Sequence, residues 1–511
     1  MSRFLPLIIF VIWWSSPELP AMGGIPPALG CGVFLGFYAA LIGVLGLWSR
    51  HVARAAHFNH VQRRLRIFNL VIYASRILIP VWLGAGVFWL GWKDVVDSGL
   101  NRTVLGRVPL DSPGLLLGCL PSFLAWMGIW WAQFPADRTL REQNILIQLN
   151  ENLPVQRPPS FRTFFMVNLR LQLLFTLAPA ILLVLVHDGL LLILHGIPGL
   201  AGREDMVDAL VTLPAVAMLV IFGPEIFRRV LRTEPMPDCP LKQKLTEIAR
   251  RHGVRFHDVL LWKTENQMGN AAVMGFVPRF RYVLMSDLLL ETMHDEQIEA
   301  IFAHEIGHVM HRHLLWLMAA IVAVMLAIAG PGQILAGEMS ALHARYEWLS
   351  EPLQAAVLLA GAMGVFALLF GFVSRKFERQ ADVFAARTIQ EISAAETAEN
   401  PVAAQAMLES GAAHTVVLER EQSADYVGRH GAAVFCSALE RVAAVNNIPV
   451  AARSWCHGSI AKRMRFLEFL SRDSRRTAQF DRFMRRLYLV LVVCLLGLGA
   501  WTLVAIGIGS N

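Results

Sequence analysis

Apolar residues in this chain gather in long blocks rather than in the spacings of ordinary soluble helices and strands. Near 28–48, 67–92, 114–134, 164–186, 208–227, 314–334, 353–374 and 487–508 the blocks are long enough to cross about 30 Å of hydrocarbon as helices. Eight spans are therefore expected. An earlier run, Phe4 to Trp14, is too short to span. It follows a single Arg3 and precedes Ser15-Ser16-Pro17 without a small-residue cleavage site, so it reads as an interfacial or re-entrant start. Two polar segments, 228–313 and 375–486, interrupt the series. The first reads as a helix over Pro240–His252, strand-like Val254–Trp262 and an extended Phe280–Met285. A short helix follows from Ser286-Asp287, then a longer one with Asp295-Glu296 in its first turn. The second segment contains Glu391–Gly428, rich in Ala and Glu and without periodicity, expected as a mobile insertion.

Composition agrees with the blocks. Hydrophobic residues make up 55% and charged residues 17%, and mean hydropathy is +0.49. An ordinary soluble domain carries about a quarter charged residues. The net charge of +7 is spent beside the apolar runs, which fits topology signals and excludes nucleic acid as a partner. Arg50, Arg54, Arg63, Arg64 and Arg66 follow the first block, and Arg138, Arg141, Arg157 and Arg162 the third. By contrast the loops after the fourth and sixth have only Arg203 and Arg345, and the tail Gly509-Ser510-Asn511 has no charge. In the loop after the second, Lys93, Arg102 and Arg107 are offset by Asp94, Asp97 and Asp111. One alternating scheme puts both polar segments on the cytoplasmic side, where they can build one domain, and fits a bacterial inner membrane. The six cysteines show no C-x-x-C spacing, consistent with a reducing compartment. Arg76, Asn168, Arg170, His187 and Asp188 are expected to snorkel from span ends rather than line a cavity, and Pro80, Pro121, Pro179 and Pro214 to kink packed helices.

The chemistry concentrates at His304-Glu305-Ile306-Gly307-His308. Two histidines four apart share one helix face, so both imidazoles can grip one zinc ion while a carboxylate beside them takes a proton from water. Zinc in a hydrolase needs a third protein ligand. His311 lies about 10 Å along the axis from His304 in a continuous helix, too far to share an ion with it, and no glycine follows His308 to break the helix. A solvated or interfacial position is expected for it. Glu378 follows the expected hairpin back to the same side, with Asp382 one turn on to hold a ligand histidine. The alternative for this pair is a juxtamembrane charge cluster.

Together, His304-Glu305-x-x-His308, the later Ser374-Arg375-x-x-Glu378-x-x-Ala381-Asp382 and the hydrophobic hairpin between them resemble the M48 family of membrane zinc metalloendopeptidases, which includes HtpX and CAAX prenyl proteases. Asn270-Ala271-x-x-x-Gly275 is similar to the family's substrate-pairing edge strand, and Arg312-His313 to its Arg-His after the motif. His457 and Arg463 resemble a late His-Pro stretch with an arginine six residues on, although Gly458 stands where the family has proline. The resemblance implies one zinc ion per chain on His304, His308 and Glu378, with Glu305 as general base and Asp382 behind the ligands. It further implies His457 and Arg463 as oxyanion donors or their support, and substrate pairing at Asn270, Ala271 and Gly275.

The expected architecture is a mainly α, polytopic membrane protein of about eight transmembrane helices with a cytoplasmic α+β zincin-like metallopeptidase domain. The divisions are an N-terminal membrane region at 1–232, peptidase segments at 233–313 and 375–486, a membrane hairpin at 314–374 and a final span at 487–511. Substrates would be peptides or membrane proteins, in quality control or in prenyl-protease-like processing. A catalytically inactive zinc-binding scaffold or transporter is the competing class. No G-x-x-x-x-G-K phosphate loop supports an ATP-driven protease, and basic, histidine-rich Val309–His313 argues against a motif embedded in a span. The sequence carries no signal of oligomeric state.

Overall fold

The computed structural model describes residues 5–14, 25–54, 61–102, 112–150, 158–195, 204–330, 334, 337–338, 351–399, 426–446 and 448–509. Six described helices are long and apolar enough to cross a membrane: Pro27–Arg54, Ile67–Phe88, Ser112–Gln143, Phe161–Leu194, Leu210–Val230 and Ser474–Val504. They coincide with the first five and the last of the expected spans. The sixth expected span corresponds to the 17-residue helix His313–Ala329, and the seventh falls in the first half of Glu351–Glu399. Residues 1–4, 15–24 and 400–425, and the topology markers Arg107, Arg157, Arg203, Arg345 and Ser510-Asn511, lie outside the described residues.

The N-terminal helices are α1 (Leu5–Trp14), α2 (Pro27–Arg54), α3 (Val61–Phe88), α4 (Trp92–Asn101) and α5 (Ser112–Asn150). They are followed by α6 (Phe161–Asn168), a π turn at Leu169–Leu174, α7 (Phe175–His195) and α8 (Glu204–Val230). All of them but α8 contribute to a core of large buried side chains, among them Phe34, Ile79, Leu83, Trp126 and Trp130. Helix α1 packs into the bundle: Ile9, Phe10 and Trp13 are buried in this core, and Trp13 lies so close to Gly118 of α5 that a Cβ there would sit 2.2 Å from its ring. Two of the polar residues expected to snorkel have protein partners. Asp188 is buried and accepts the Ser112 amide at 2.9 Å, and the Arg76 guanidinium lies 3.5 Å from Gln133 Oε1.

After α8 come β1 (Thr233–Pro235), α9 (Pro240–Arg251), β2 (Asp258–Trp262), β3 (Ala271–Met274), β4 (Tyr282–Ser286), α10 (Asp287–Thr292), α11 (Asp295–Met310) and α12 (His313–Ala329). The remaining helices are α13 (Glu351–Glu399), α14 (Arg429–Val445), α15 (Ile460–Ser471) and α16 (Ser474–Gly509). The sheet order is β1-β2-β4-β3, with β2 and β4 parallel and both outer pairs antiparallel. A second core joins both polar segments, from Leu245 and Phe302 to Phe377, Phe435, Leu467 and Met484. The expected insertion is helical at its start, since Glu391–Glu399 continue α13.

Candidate active site

Helix α11 starts with Asp295 and Glu296 in its first turn, where carboxylates favour the helix dipole, and His294 and Gln297 form a reciprocal cap. Its Ile298, Phe302, Ala303 and Ile306 enter the core, which fixes the rotation and turns His304 and His308 toward α13. The two helices meet at Gly307. A Cβ there would lie 3.2 Å from Ala381 Cα and 3.1 Å from the Phe384 ring, so small residues on both sides permit the approach.

This approach assembles three metal-type donors. His304 Nε2 lies 3.2 Å from His308 Nε2 and 3.7 Å from Glu378 Oε2, and His308 Nε2 lies 3.8 Å from Glu378 Oε1. A tetrahedral ion with bonds of about 2.05 Å needs ligand atoms about 3.4 Å apart, so the three residues fit zinc in donor type and spacing. Among the described residues they are the one group of this kind. Burial, with His304 beside it, lowers the His308 pKa to about 4, which keeps the ring neutral as a ligand must be.

The candidate ligands are backed on one side by charge. Asp382, fully buried, stands 3.0 Å from His304 Nδ1 and accepts two hydrogen bonds from Arg463, one at 2.9 Å from Nε. Arg463 Nη1 is also 3.5 Å from Glu378. Burial pushes both carboxyls upward, but Arg463 outweighs it at Asp382, and His457 with Arg463 holds Glu378 well below the usual carboxylate range. The His304 ring stacks on Phe435 at 5.6 Å, which fixes its plane. Arg463 thus faces the buried carboxylates of Asp382 and Glu378 instead of an open site.

His457 donates from Nδ1 to Glu378 Oε1 at 2.8 Å, and its side chain is 62% exposed, leaving Nε2 free. It sits in a tight turn closed by reciprocal hydrogen bonds between Ser454 and Gly458, at 3.1 and 3.0 Å. Gly458 has φ +76°, and its N–H makes one of those bonds. Proline, with φ near −65° and no N–H, fits neither role, which accounts physically for the glycine.

Strand β3 is the free edge of the sheet. Asn270 O accepts from Ser286 N, and from that register the N–H and C=O of Ala271 and Val273 point away from β4. One of these groups is engaged: Val273 N–H donates to Glu305 Oε2 at 3.1 Å, while burial raises the Glu305 carboxyl above its ordinary range. Asn270 itself bonds to Ser286 Oγ through its amide, anchoring the strand. Gly275, at φ +103°, ends it where a Cβ would lie 2.3 Å from Phe280 O.

His311 is outside the metal group. Of the solvated or interfacial position expected for it, full solvation does not hold: it is half-buried, 3.3 Å from Gln380 Nε2 and against Phe384. The helix does break after the motif, although no glycine is present: Arg312 takes φ +52° and α12 leaves at 50° to α11. Sequence spacing missed His313, Gln380, Phe435 and the Val273 amide. For His313 the available signal was its resemblance to the Arg-His pair; the others leave no local pattern.

Residues 235–468 match the model for peptidase family M48. The matched segment is under half of the chain, contains His304, His308 and Glu378, and has apolar helices long enough to cross a membrane before and after it, so this part of the chain is similar to that family. Among curated relatives, the Protease HtpX homolog of Aeropyrum pernix is 29% identical over 201 residues, covering 38% of this chain and 61% of the relative. The CAAX prenyl protease 1 homolog of Arabidopsis thaliana is 25% identical over 180 residues, covering 34% of this chain and 42% of the relative. The matches therefore span less than two thirds of either relative. The crystal structure of S. mikatae Ste24p aligns over 91% of this chain and 98% of that one, with 14% identity and a TM-score of 0.43.

Proposed function

We propose that the chain is an integral-membrane zinc metalloendopeptidase, with one zinc held by His304, His308 and Glu378. The observation that carries this reading is the convergence of those donors beside Glu305 and an open strand edge. When bound there, zinc would supply Lewis acidity to a water and to the scissile carbonyl. Glu305 has one carboxylate oxygen on Val273 N–H and the other available to take a proton from the attacking water and return it to the leaving amine. Asp382 orients His304, and Arg463 neutralises the two buried carboxylates. Protonated His457, the form that its hydrogen bond to Glu378 favours, keeps Nε2–H as a donor to a developing oxyanion. An extended peptide would pair with Ala271 and Val273, its carbonyl competing with Glu305 for the Val273 amide.

The same reading divides the chain into peptidase segments 233–313 and 375–486, a hairpin at 314–374 and flanking membrane regions at 1–232 and 487–511. It takes eight crossings with the site on the cytoplasmic side of a bacterial inner membrane. The substrate is a peptide or membrane protein, drawn from quality control or from prenyl-protease-like processing, as the names of the two kinds of relative support.

The test is zinc content and cleavage of unfolded, membrane-anchored and prenylated peptides by detergent-purified protein. Glu305→Gln is expected to keep zinc and lose at least ~100-fold in kcat. Glu378→Ala is expected to lose both. Full cleavage by zinc-loaded Glu305→Gln would remove Glu305 from the base role, and zinc binding without any cleavage in the wild type would favour the scaffold.

A further inference from the structure

The two ligand histidines are backed differently. His304 Nδ1 meets the carboxylate of Asp382, whereas His308 Nδ1 lies 2.9 Å from Nδ1 of a third histidine, His313. His313 is 1% exposed, and its ring lies flat on Phe377, 4.5 Å away and 4° from parallel. Its Nε2 is 3.0 Å from Gln380 Oε1. That oxygen also accepts the Tyr488 hydroxyl at 2.6 Å, and Gln380 Nε2 reaches His311 Nδ1 at 3.3 Å.

In a continuous helix, residue i+5 points about 140° away from residue i, so His313 could not return to His308. The left-handed Arg312 and the 50° bend bring it back. Tyr488 is fixed in turn between Trp316 of α12, with rings 4.7 Å apart, and Phe377 of α13, at 5.7 Å.

We propose that His313, Gln380 and Tyr488 are positioning residues for the metal ligand His308, forming a directed hydrogen-bond relay that ties the metal centre to helix α16. The inference rests on the zinc reading above. One set of protons satisfies every link. With Nε2 of His308 given to the metal, its Nδ1–H donates to His313 Nδ1, and the neutral His313 donates from Nε2 to Gln380 Oε1. Gln380 Oε1 uses its second lone pair for the Tyr488 hydroxyl, and its amide donates to His311 Nδ1. The relay fixes the His308 tautomer and ring plane before metal arrives, the role a carboxylate plays behind His304. It ends on a residue outside the matched segment 235–468, so α16 would serve the metal centre as well as anchor the chain.

The experiment is zinc affinity of the full-length purified protein, by competition with a chromophoric chelator, alongside the melting temperature of the metal-free form. His313→Leu, which removes the acceptor, is expected to weaken zinc binding about 10- to 100-fold. His313→Asn, whose carbonyl can occupy the Nδ1 position, should recover most of that loss. Tyr488→Phe should weaken zinc binding by less than His313→Leu while leaving the metal-free melting temperature at the wild-type value. Unchanged zinc affinity in Tyr488→Phe would sever α16 from the relay. Equal losses in His313→Leu and His313→Asn would make His313 a packing residue and overturn the inference. A wild-type protein that binds no zinc would overturn the functional reading itself, a result separate from either.

Discussion

His252 closes α9 with its ring 4.7 Å from Phe384 and its Nε2 3.1 Å from the Thr388 hydroxyl, joining the first polar segment to α13. Burial, with Arg251 adding to it, lowers its pKa below the ordinary 6.5. In the unfolded chain His252 therefore binds its proton at a higher pH than in the fold, so stability rises with pH through that interval. The contribution is complete above about pH 6.5 and is lost as pH falls toward the folded value. Melting temperatures of the wild type and His252→Asn between pH 7.5 and 5 should show a shallower acid decline in the variant; parallel curves would remove His252 from the balance. Nothing in the sequence distinguishes this histidine from others, because its partners are more than a hundred residues away. The candidate ligand set was legible for the opposite reason. His304, Glu305 and His308 repeat at helical spacing, and Glu378 and Asp382 repeat at the same spacing after the hairpin, so their shared faces can be read without the fold. What covers those faces, such as Phe435 on His304, depends on packing between segments that no local period encodes.

Helices α11 and α12 were each legible, as a helix of the polar segment and as an apolar block, and the left-handed break between them was not. The chain turns at Arg312, an exposed, non-glycine residue at φ +52°, a conformation that costs an L-residue roughly 1 kcal/mol. The local sequence offers no breaker. Its cause is tertiary: the apolar face of α11 is held in the domain core, while His313 is buried against Phe377 and Gln380. Arg312→Gly is accordingly expected to stabilise the fold by up to about 1 kcal/mol, and Arg312→Val, whose branched side chain resists the left-handed region, to destabilise it by a similar or larger amount. Thermal unfolding in detergent measures both. If the two variants shifted the melting temperature together, conformational strain at residue 312 would not be the controlling factor. The small sheet was legible from its β-type runs at β2 and β4, but three-residue β1 was not, since so short a strand is defined by its partner alone.

One hydrophobic core contains residues of α9 and α11 from the first polar segment, of α13, α14 and α15 from the second, and Phe480 and Met484 from the start of α16. Such a core can form only if both segments lie on the same side of the membrane, so the chain between α11 and the middle of α13 must cross an even number of times. Helix α12 has 17 residues, about 26 Å of rise, which is close to but below the hydrocarbon thickness. The domain is also tied to the N-terminal bundle: Arg141 at the end of α5 bonds Gln267 at 3.3 Å, and Glu225 near the end of α8 accepts from Tyr282 at 3.1 Å. These ties place the sheet beside the same ends of α5 and α8, the ends at which the arginine-rich side was expected. Single cysteines at Asp238 and Arg475 on a cysteine-free background are therefore expected to react with an impermeant maleimide from the cytoplasmic side. A cysteine at Asn511, beyond the apolar stretch of α16, is expected to react from the other side. Reaction of 238 and 475 from opposite sides would contradict the shared core. Reaction of both from the non-cytoplasmic side would keep the core but invert the charge rule, and would move the candidate metal site to the opposite compartment, with a different set of substrates.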